Sequence, residues 1–348
     1  MKQFKIGRKI LTDNPFIIAE AGINHNGDLK LALKMIETAA NSGVDAIKFQ
    51  TFKAKEFVSD HKQTYSYFSN GKKITESMLE MFSRYEFEKK DWYTIKKKCD
   101  EEKIIFLSTP QNVSDLELLQ ELKIKALKIG SDDFTNIPLI KEFLKTKLPL
   151  MLSCGMANKK EIQQTMNLIN WKNGYPVALL LTTSQYPTPP KDVNVLKFQS
   201  LKKLFPNLKL GYSDHTQDNT ASILALGMGA TIFEKHFTLD NNFNGPDHWF
   251  SANPIKLKNW CDDIKKSYIM MGSSIIAPSR NEVKMKKLAR RSIVTLTDIK
   301  RNEIIDSKKI GIKRPGTGLP PIMLDKILGT KATKDLMKNQ LVQIGDFK

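Results

Sequence analysis

Residues 210–240 read LGYSDHTQDNTASILALGMGATIFEKHFTLD. Two short apolar runs, LGYSDH (210–215) and TIFEKHF (231–237), flank a segment of helical character. Each run ends in a histidine close to a carboxylate: His215 beside Asp214, and His236 two residues after Glu234. The chain has only five histidines, so this repetition needs a reason. The same strand-then-helix rhythm recurs at FIIAEAGI (16–23), AIKFQTF (46–52), IIFLSTP (104–110), ALKIGS (126–131), PLMLSCGM (149–156) and VALLLTTS (177–184). Such alternation is the signature of parallel β/α units. Helical segments such as DLKLALKMIETAANSG (28–43), which stops at a glycine, and NVSDLELLQELK (112–123), with an Asn or Ser cap, separate the runs. Eight strands, each followed by a helix, predict a (β/α)8 TIM barrel. A doubly wound open sheet is the alternative, but eight regular units without a dinucleotide fingerprint speak against it.

The barrel is expected to close with PIKLKNWCDDIKKSYIMMG, so the catalytic domain is read as residues 1–272. Residues 273–291, SSIIAPSRNEVKMKKLARR, are basic and polar and read as a linker. Residues 292–348 carry short alternating runs punctuated by Pro and Gly, which predicts a small β-rich domain with a limited core of its own. One insertion breaks the barrel rhythm. Residues 53–90 are too long for a simple connection after the second strand.

Composition narrows the function classes. Hydrophobic content of 41% is ample for a core. The formal charge of +18 raises the question of nucleic acid. However, the lysines are interleaved with acidic residues, as in EFEKKDWYTIKKKCDEEK (86–103), and read as solvated helix faces. Excess positive potential would instead help draw in a small anionic substrate. Cys99, Cys154 and Cys261 show no paired spacing, which suits a reducing compartment. No segment approaches the ~20 apolar residues of a membrane span, and the N-terminus has no signal-peptide core. The chain therefore reads as a soluble, cytoplasmic protein without a membrane or nucleic-acid partner.

Barrel enzymes carry their chemistry at the C-terminal ends of the strands. Here those ends supply Glu20, Lys48, Gln50, Thr109, Lys128, Ser131, Ser153, Ser184, Tyr186, Ser213, Asp214, His215, Glu234 and His236. Lys48 and Lys128 interrupt otherwise apolar strands, and lysine is almost never fully buried without a partner. With Thr109, Ser131, Ser153 and Ser213 as hydroxyl donors they describe an anion pocket suited to phosphate. His215 and His236, on adjacent strands with Glu20 and Glu234 nearby, suit a divalent ion such as Mn, Co, Zn or Mg with open positions. His25, in GINHNGD, reads equally as a loop cap or a catalytic group.

The motifs FIIAEAGINHNGD, IKFQTF, FLSTP, LKIGSDDFTNIPLI, LSCGM, YPTP, GYSDHT, EKHFTLD and GPDH fall in the order found in the sialic acid synthase family, which the chain resembles along its whole length. That family comprises the N-acylneuraminate (N-acetylneuraminate), legionaminate and pseudaminate synthases. The tail, with KRPGTG, resembles the antifreeze-like (SAF, β-clip) domain that ends them. The resemblance implies condensation of phosphoenolpyruvate with the open-chain aldehyde of an N-acyl hexosamine, N-acetylmannosamine or a related 2,4-diacetamido sugar, with release of phosphate. It implies that Lys48, Thr109, Lys128, Ser131, Ser153, Ser184, Tyr186 and Ser213 hold phosphoenolpyruvate. It implies that Gln50, Asp133, Tyr186 and Asp247 line the sugar site. His215 and His236 would hold the metal, Mn first, with Mg or Co as alternatives. Glu20 and Glu234 would orient water there, and with Lys48 and Lys128 they form the catalytic set. Arg314 in KRPGTG would reach the sugar's N-acyl group from the partner in a domain-swapped homodimer. The chain also departs from its relatives. Many members carry Gly-Glu where this chain has Asp132 and Asp133, often His or Gln at Leu181, and in some Asn at Ser184. Trp249 and Phe250 stand where sialate enzymes often have small or polar residues. These departures bear on the sugar, not on the reaction.

Three competing readings remain at this point. They are a metal-dependent hydrolase, a sister condensing enzyme that takes a sugar phosphate, and a non-catalytic sugar-binding protein. The hydrolase needs no paired rim lysines. The sister enzyme would want a second Arg/Lys cluster. The binding protein would have no use for His215, His236 and Glu20 together.

Overall fold

The computed structural model describes residues 4–7, 9–60 and 62–348. It divides into two compact units, Met1–Gly272 and Ser273–Lys348. The first is built on eight parallel strands: β1 (Phe16–Gly22), β2 (Ala46–Thr51), β3 (Ile105–Pro110), β4 (Leu127–Ile129), β5 (Leu150–Ser153), β6 (Val177–Leu181), β7 (Lys209–Asp214) and β8 (Ile232–His236). The hydrogen-bonded order is β3-β2-β1-β8-β7-β6-β5-β4. The ladder therefore runs almost fully round, and only the seam between β3 and the short β4 lacks pairing among the described residues. This is a TIM-type barrel.

Strand alternation sorts the side chains into two cores. Ile17, Ala19, Ile47, Phe49, Leu127 and Phe233 point outward and pack with helix residues such as Met35, Ile36 and Trp260. Phe16, Ile18, Ala46, Leu107, Ala126, Met151, Leu180 and Ile232 point inward and fill the barrel's lower half. Because the period is two, the next inward positions are Glu20, Lys48, Thr109, Lys128, Ser153 and Glu234. The apolar layer thus ends one pleat below a polar one. A short antiparallel hairpin, Lys5–Ile6 with Lys9–Ile10, sends Phe4, Ile6 and Leu11 into the lower core. The sequence reading did not assign it.

Residues 53–90 form an elaborated connection. It comprises a short helix (Ala54–Phe57), an antiparallel hairpin (Thr64–Ser69 with Lys72–Ser77) and a further helix (Met78–Arg84). Its base has its own small core of Ile23, Phe52, Met81 and Tyr85.

The second unit holds an antiparallel pair, Ser292–Thr295 with Ile310–Lys313, and a separate core that includes Ile293, Ile299, Ile305, Ile327 and Val342. Part of the stretch read as a linker is ordered: Arg280–Ala289 is a helix, started by a capping box between Ser279 and Glu282. Arg314 is exposed in the turn that follows the second strand of that pair. The turn is pinned where Ser292 Oγ donates to the Pro315 carbonyl at 2.7 Å.

Candidate active site

The polar layer opens into a cavity of about 780 Å³ at the C-terminal mouth of the barrel. Glu20, Lys48, Gln50, Thr109, Lys128, Ser131, Ser153, Ser184, Tyr186, Ser213, His215, Glu234, His236 and Asp247 all line it. Two sequence-derived sugar residues do not. Asp133 points away, accepting from Asn136 Nδ2 at 2.8 Å just ahead of the helix Ile137–Lys145, while its neighbour Asp132 lines the cavity. Arg314 belongs to the second unit. Sequence reasoning missed Asp132, Gln111, Gln185 and Met156, together with the aromatic hairpin residues Tyr65, Tyr67 and Phe68. Gln111 directly follows β3, so the strand-end rule could have found it. The hairpin offered no such signal.

The floor is a buried cluster of opposite charges. Lys48 Nζ lies 2.8 Å from Glu20 Oε2 and 3.9 Å from Glu234 Oε1, and donates to Thr109 Oγ1 at 3.1 Å. Lys128 Nζ donates to Ser153 Oγ at 2.7 Å and to the Ile129 carbonyl at 3.2 Å, and lies 3.7 Å from Glu234 Oε1. Ser213 Oγ donates to that same Glu234 oxygen at 3.2 Å. The register of the sheet sets these meetings, since Glu20 is paired with Lys48 and Ser213 with Glu234 on neighbouring strands. A bulge in β1 between Glu20 and Gly22 breaks the ladder beside the carboxylate, a device that re-aims side chains near active sites. Close backbone approach matters at Gly155. A Cβ there would sit 2.3 Å from Ser184 Oγ and 2.7 Å from Ser131 Oγ, so only glycine lets the two hydroxyls converge.

Burial and pairing pull the charges in opposite directions. Burial raises the Glu20 carboxyl to about 7 against the opposing pull of Lys48. Burial alone would lower Lys48, but Glu20 and Glu234 outweigh it and hold the ammonium above its ordinary value. Lys128 is lowered, chiefly by burial, with Glu234 opposing. For Glu234 burial works upward, yet Lys128 and Lys48 hold it below the usual carboxylate range. The floor thus gathers two lysines and two carboxyls whose burial and pairing oppose one another, with Glu20 raised to about 7.

The imidazoles sit above one side of the floor. Their ring centroids are 5.4 Å apart. His215 Nδ1–H donates to the Thr183 carbonyl at 2.7 Å, which fixes the tautomer and leaves Nε2 as a lone-pair donor. Burial lowers His215 to about 4 and His236 well below its ordinary value, so both rings are neutral. His236 Nδ1 and Glu234 Oε2 are buried without hydrogen-bond partners. Two neutral imidazoles, unpartnered polar atoms and adjacent carboxylates fit a divalent ion with open positions. Among the described residues no three His, Cys, Asp or Glu side chains are grouped as metal ligands. Burial also raises Asp247, 3.8 Å from His236, to about 7.

His25 resolves as a loop cap. It is fully buried, stacks on Phe87 at 4.3 Å and accepts from the Gly27 N–H through Nδ1 at 3.1 Å. Asp214 is also structural. It pairs with Lys235 at 3.1 Å behind the strand and accepts from Ser222 Oγ at 2.6 Å.

A parallel barrel whose mouth combines paired buried lysines, hydroxyls and carboxyls is the architecture of a TIM-barrel enzyme. Comparison with known proteins gives the family. Residues 35–276 match the NeuB family and residues 290–348 match the SAF domain; this chain belongs to the NeuB family. It is 41% identical over 333 residues to the N,N'-diacetyllegionaminic acid synthase of Campylobacter jejuni subsp. jejuni serotype O:2, covering 94% of this chain and 98% of that protein. It is 30% identical over 338 residues to the pseudaminic acid synthase of Helicobacter pylori, covering 96% of this chain and 98% of that one. Among solved structures it resembles the N-acetylneuraminic acid (sialic acid) synthetase of Leptospira borgpetersenii serovar Hardjo-bovis, crystallised in complex with citrate. The TM-score is 0.73 at 32% identity, over 82% of this chain and 95% of that one. No helix among the described residues is long and apolar enough to cross a membrane.

Proposed function

We propose that this enzyme condenses phosphoenolpyruvate with the open-chain aldehyde of an N-acyl hexosamine, giving a nine-carbon 2-keto acid and phosphate. One observation carries the reading. Lys48 and Lys128 are buried on the same floor, each bonded to a hydroxyl and each within 4 Å of Glu234. A buried lysine pair that only stabilised the barrel would be a poor choice, since apolar residues of similar volume do that at least as well. A dianion entering between them converts a costly arrangement into charge-assisted bonds.

In this reading Lys48 with Thr109, and Lys128 with Ser153, hold the phosphate. Ser131, Ser184, Tyr186 and Ser213 complete the phosphoenolpyruvate site. The two ammonium groups stabilise the charge that builds on the phosphate as its C–O bond to carbon 2 breaks. Glu20, raised to about 7, orients the water that adds at carbon 2, and the proton this water sheds leaves with the phosphate. Gln50, Asp132 and Asp247 face the sugar. His215 and His236 would hold a divalent ion, manganese first, which when bound supplies Lewis-acid polarisation of the aldehyde. Arg314 is assigned to the sugar's N-acyl group in a neighbouring copy of the chain, on the strength of the family resemblance and of its exposed, pinned turn.

The test is direct. Purified enzyme with Mn2+, phosphoenolpyruvate and a panel of N-acyl hexosamines is expected to release phosphate only when a suitable sugar is present. Phosphate release without sugar would favour the hydrolase reading.

A further inference from the structure

Asn26 in GINHNGD and His248 in GPDH belong to neither substrate site. The fold nevertheless brings them together. In the loop after β8 the side chains divide between two faces. Pro246, Asp247, Trp249 and Phe250 line the cavity, whereas the His248 ring is buried beneath the loop. Both ring nitrogens are engaged. Burial lowers His248 to about 4, so the ring is neutral, with one donor and one acceptor. Nε2–H donates at 3.0 Å to Asn26 Oδ1, on the loop after β1. Nδ1 accepts at 2.7 Å from the hydroxyl of Thr238, at the root of the β8 loop.

The rest of the loop closes around that ring. Gly245 has φ +151°, and a Cβ there would sit 2.7 Å from His248 Cδ2, so a glycine lets the chain pass this close. Asn241 Nδ2 donates to the carbonyls of His248 and Ser251, both at 2.8 Å. Ser251 Oγ donates to the Asp247 carbonyl at 2.6 Å, and Asn24 Nδ2, again from the β1 loop, donates to Ser251 Oγ at 3.0 Å. The Asp247 carboxylate, by contrast, accepts no hydrogen bond among the described residues, and His236 Nδ1 lies 3.8 Å away. Its aim is therefore set by the backbone that carries it, and that backbone is tied down at His248. An apolar ring would fill the same space. A ring that uses both nitrogens between two loops also fixes one loop against the other.

We propose that His248 is a positioning residue for the reaction: by clamping the β8 loop to the β1 loop it holds the Asp247 carboxylate toward the sugar. This inference rests on the synthase reading above. The β1 loop continues from the strand that carries Glu20, so the clamp keeps the sugar-facing carboxylate in a fixed relation to the charged floor. A carboxylate with no hydrogen bonds of its own moves whenever its backbone drifts, and a misplacement of about 1 Å can lower the rate on the order of a hundredfold.

The experiment uses whichever sugar the wild type condenses, N-acetylmannosamine or a 2,4-diacetamido hexosamine. It compares the wild type with His248→Ala, His248→Gln, Asp247→Ala and the double variant His248→Ala with Asp247→Ala. Asn26→Gly is added because glycine accepts the left-handed backbone at that position (φ +54°). His248→Ala should lower kcat/KM for the sugar roughly 10- to 100-fold while KM for phosphoenolpyruvate stays within about twofold. Mn2+ binding should not change. Asn26→Gly should act in the same direction, and His248→Gln, whose amide can still donate to Asn26, should lose less than His248→Ala. The double variant should be within about twofold of Asp247→Ala alone, because His248 acts through that carboxylate. Hydrogen exchange of residues 243–252 should quicken about tenfold in His248→Ala, with the barrel strands unchanged. Additive losses in the double variant, an equal rise in both KM values, or unchanged exchange at 243–252 would overturn the proposal. If His248→Ala does not fold, His248→Gln and Asn26→Gly carry the same comparisons. If the wild type condenses neither sugar, the synthase reading falls separately and exchange alone decides the clamp: quickening at 243–252 sustains it, and no change overturns it.

Discussion

Replacing Lys128 by methionine tests the anion floor with little change of volume. The side chain is 3% exposed, and its ammonium bonds to Ser153 and the Ile129 carbonyl and faces Glu234. Methionine keeps the apolar stem and removes the charge. A hydrogen bond to a charged group contributes about 1.5–3 kcal/mol. With ~1.4 kcal/mol per tenfold, kcat/KM for phosphoenolpyruvate should fall by roughly 10- to 150-fold. The loss should stay at that order because Lys48, on the other side of Glu234, remains. The sugar KM should change little, since the sugar-facing wall is untouched. The assay varies phosphoenolpyruvate at saturating sugar and reads released phosphate, with circular dichroism and the thermal midpoint as controls for the fold. An unchanged kcat/KM for phosphoenolpyruvate in a folded Lys128→Met enzyme would refute the assignment of this floor to phosphate.

Glu20, raised to about 7, should take up a proton when a dianion binds beside it, because added negative charge raises its pKa further. Calorimetry of phosphoenolpyruvate binding at pH 7.5 in buffers of different ionisation enthalpy should therefore show proton uptake, lost in Glu20→Gln. His215→Ala and His236→Ala should each lose Mn2+ binding, read by electron paramagnetic resonance, while far-ultraviolet circular dichroism stays unchanged. Lys235→Ala should destabilise the barrel by roughly 3–5 kcal/mol in urea unfolding, because it leaves the buried Asp214 uncompensated. Arg314→Lys should preserve the fold yet raise the sugar KM, since a guanidinium's planar fork is poorly copied by an ammonium. Mixing inactive Arg314→Ala with inactive His236→Ala chains should restore some activity if copies share sites.

The barrel was legible because its signal is local and repeated. Each strand carries an inward apolar residue followed, two positions on, by a polar one: Ile18 then Glu20, Ala46 then Lys48, Ala126 then Lys128, Ile232 then Glu234. That period places the charged floor without any knowledge of contacts. What escaped the sequence was what only tertiary geometry decides. Asp132 and Asp133 are adjacent and chemically equal, and the choice between them depends on Asn136 drawing Asp133 toward the next helix. Asp214 and His215 were read at one strand end, but the alternation of β7 sends Asp214 behind the sheet to Lys235. The hairpin at 64–77 stayed unread because Tyr65, Tyr67 and Phe68 carry no motif. Their meaning comes from Trp249, which lies far away in sequence and at ring distance in space.

The central claim is that phosphate leaves phosphoenolpyruvate only as a new carbon–carbon bond to the sugar is made. The most direct measurement uses phosphoenolpyruvate labelled with 18O at the bridging oxygen, Mn2+ and the diacetamido hexosamine, with mass analysis of both products. The account expects labelled phosphate, from cleavage of the C–O bond, in equal amount with a nine-carbon 2-keto acid, and none of either when the sugar is left out. Phosphate without label, or phosphate and pyruvate formed in the absence of sugar, would contradict it.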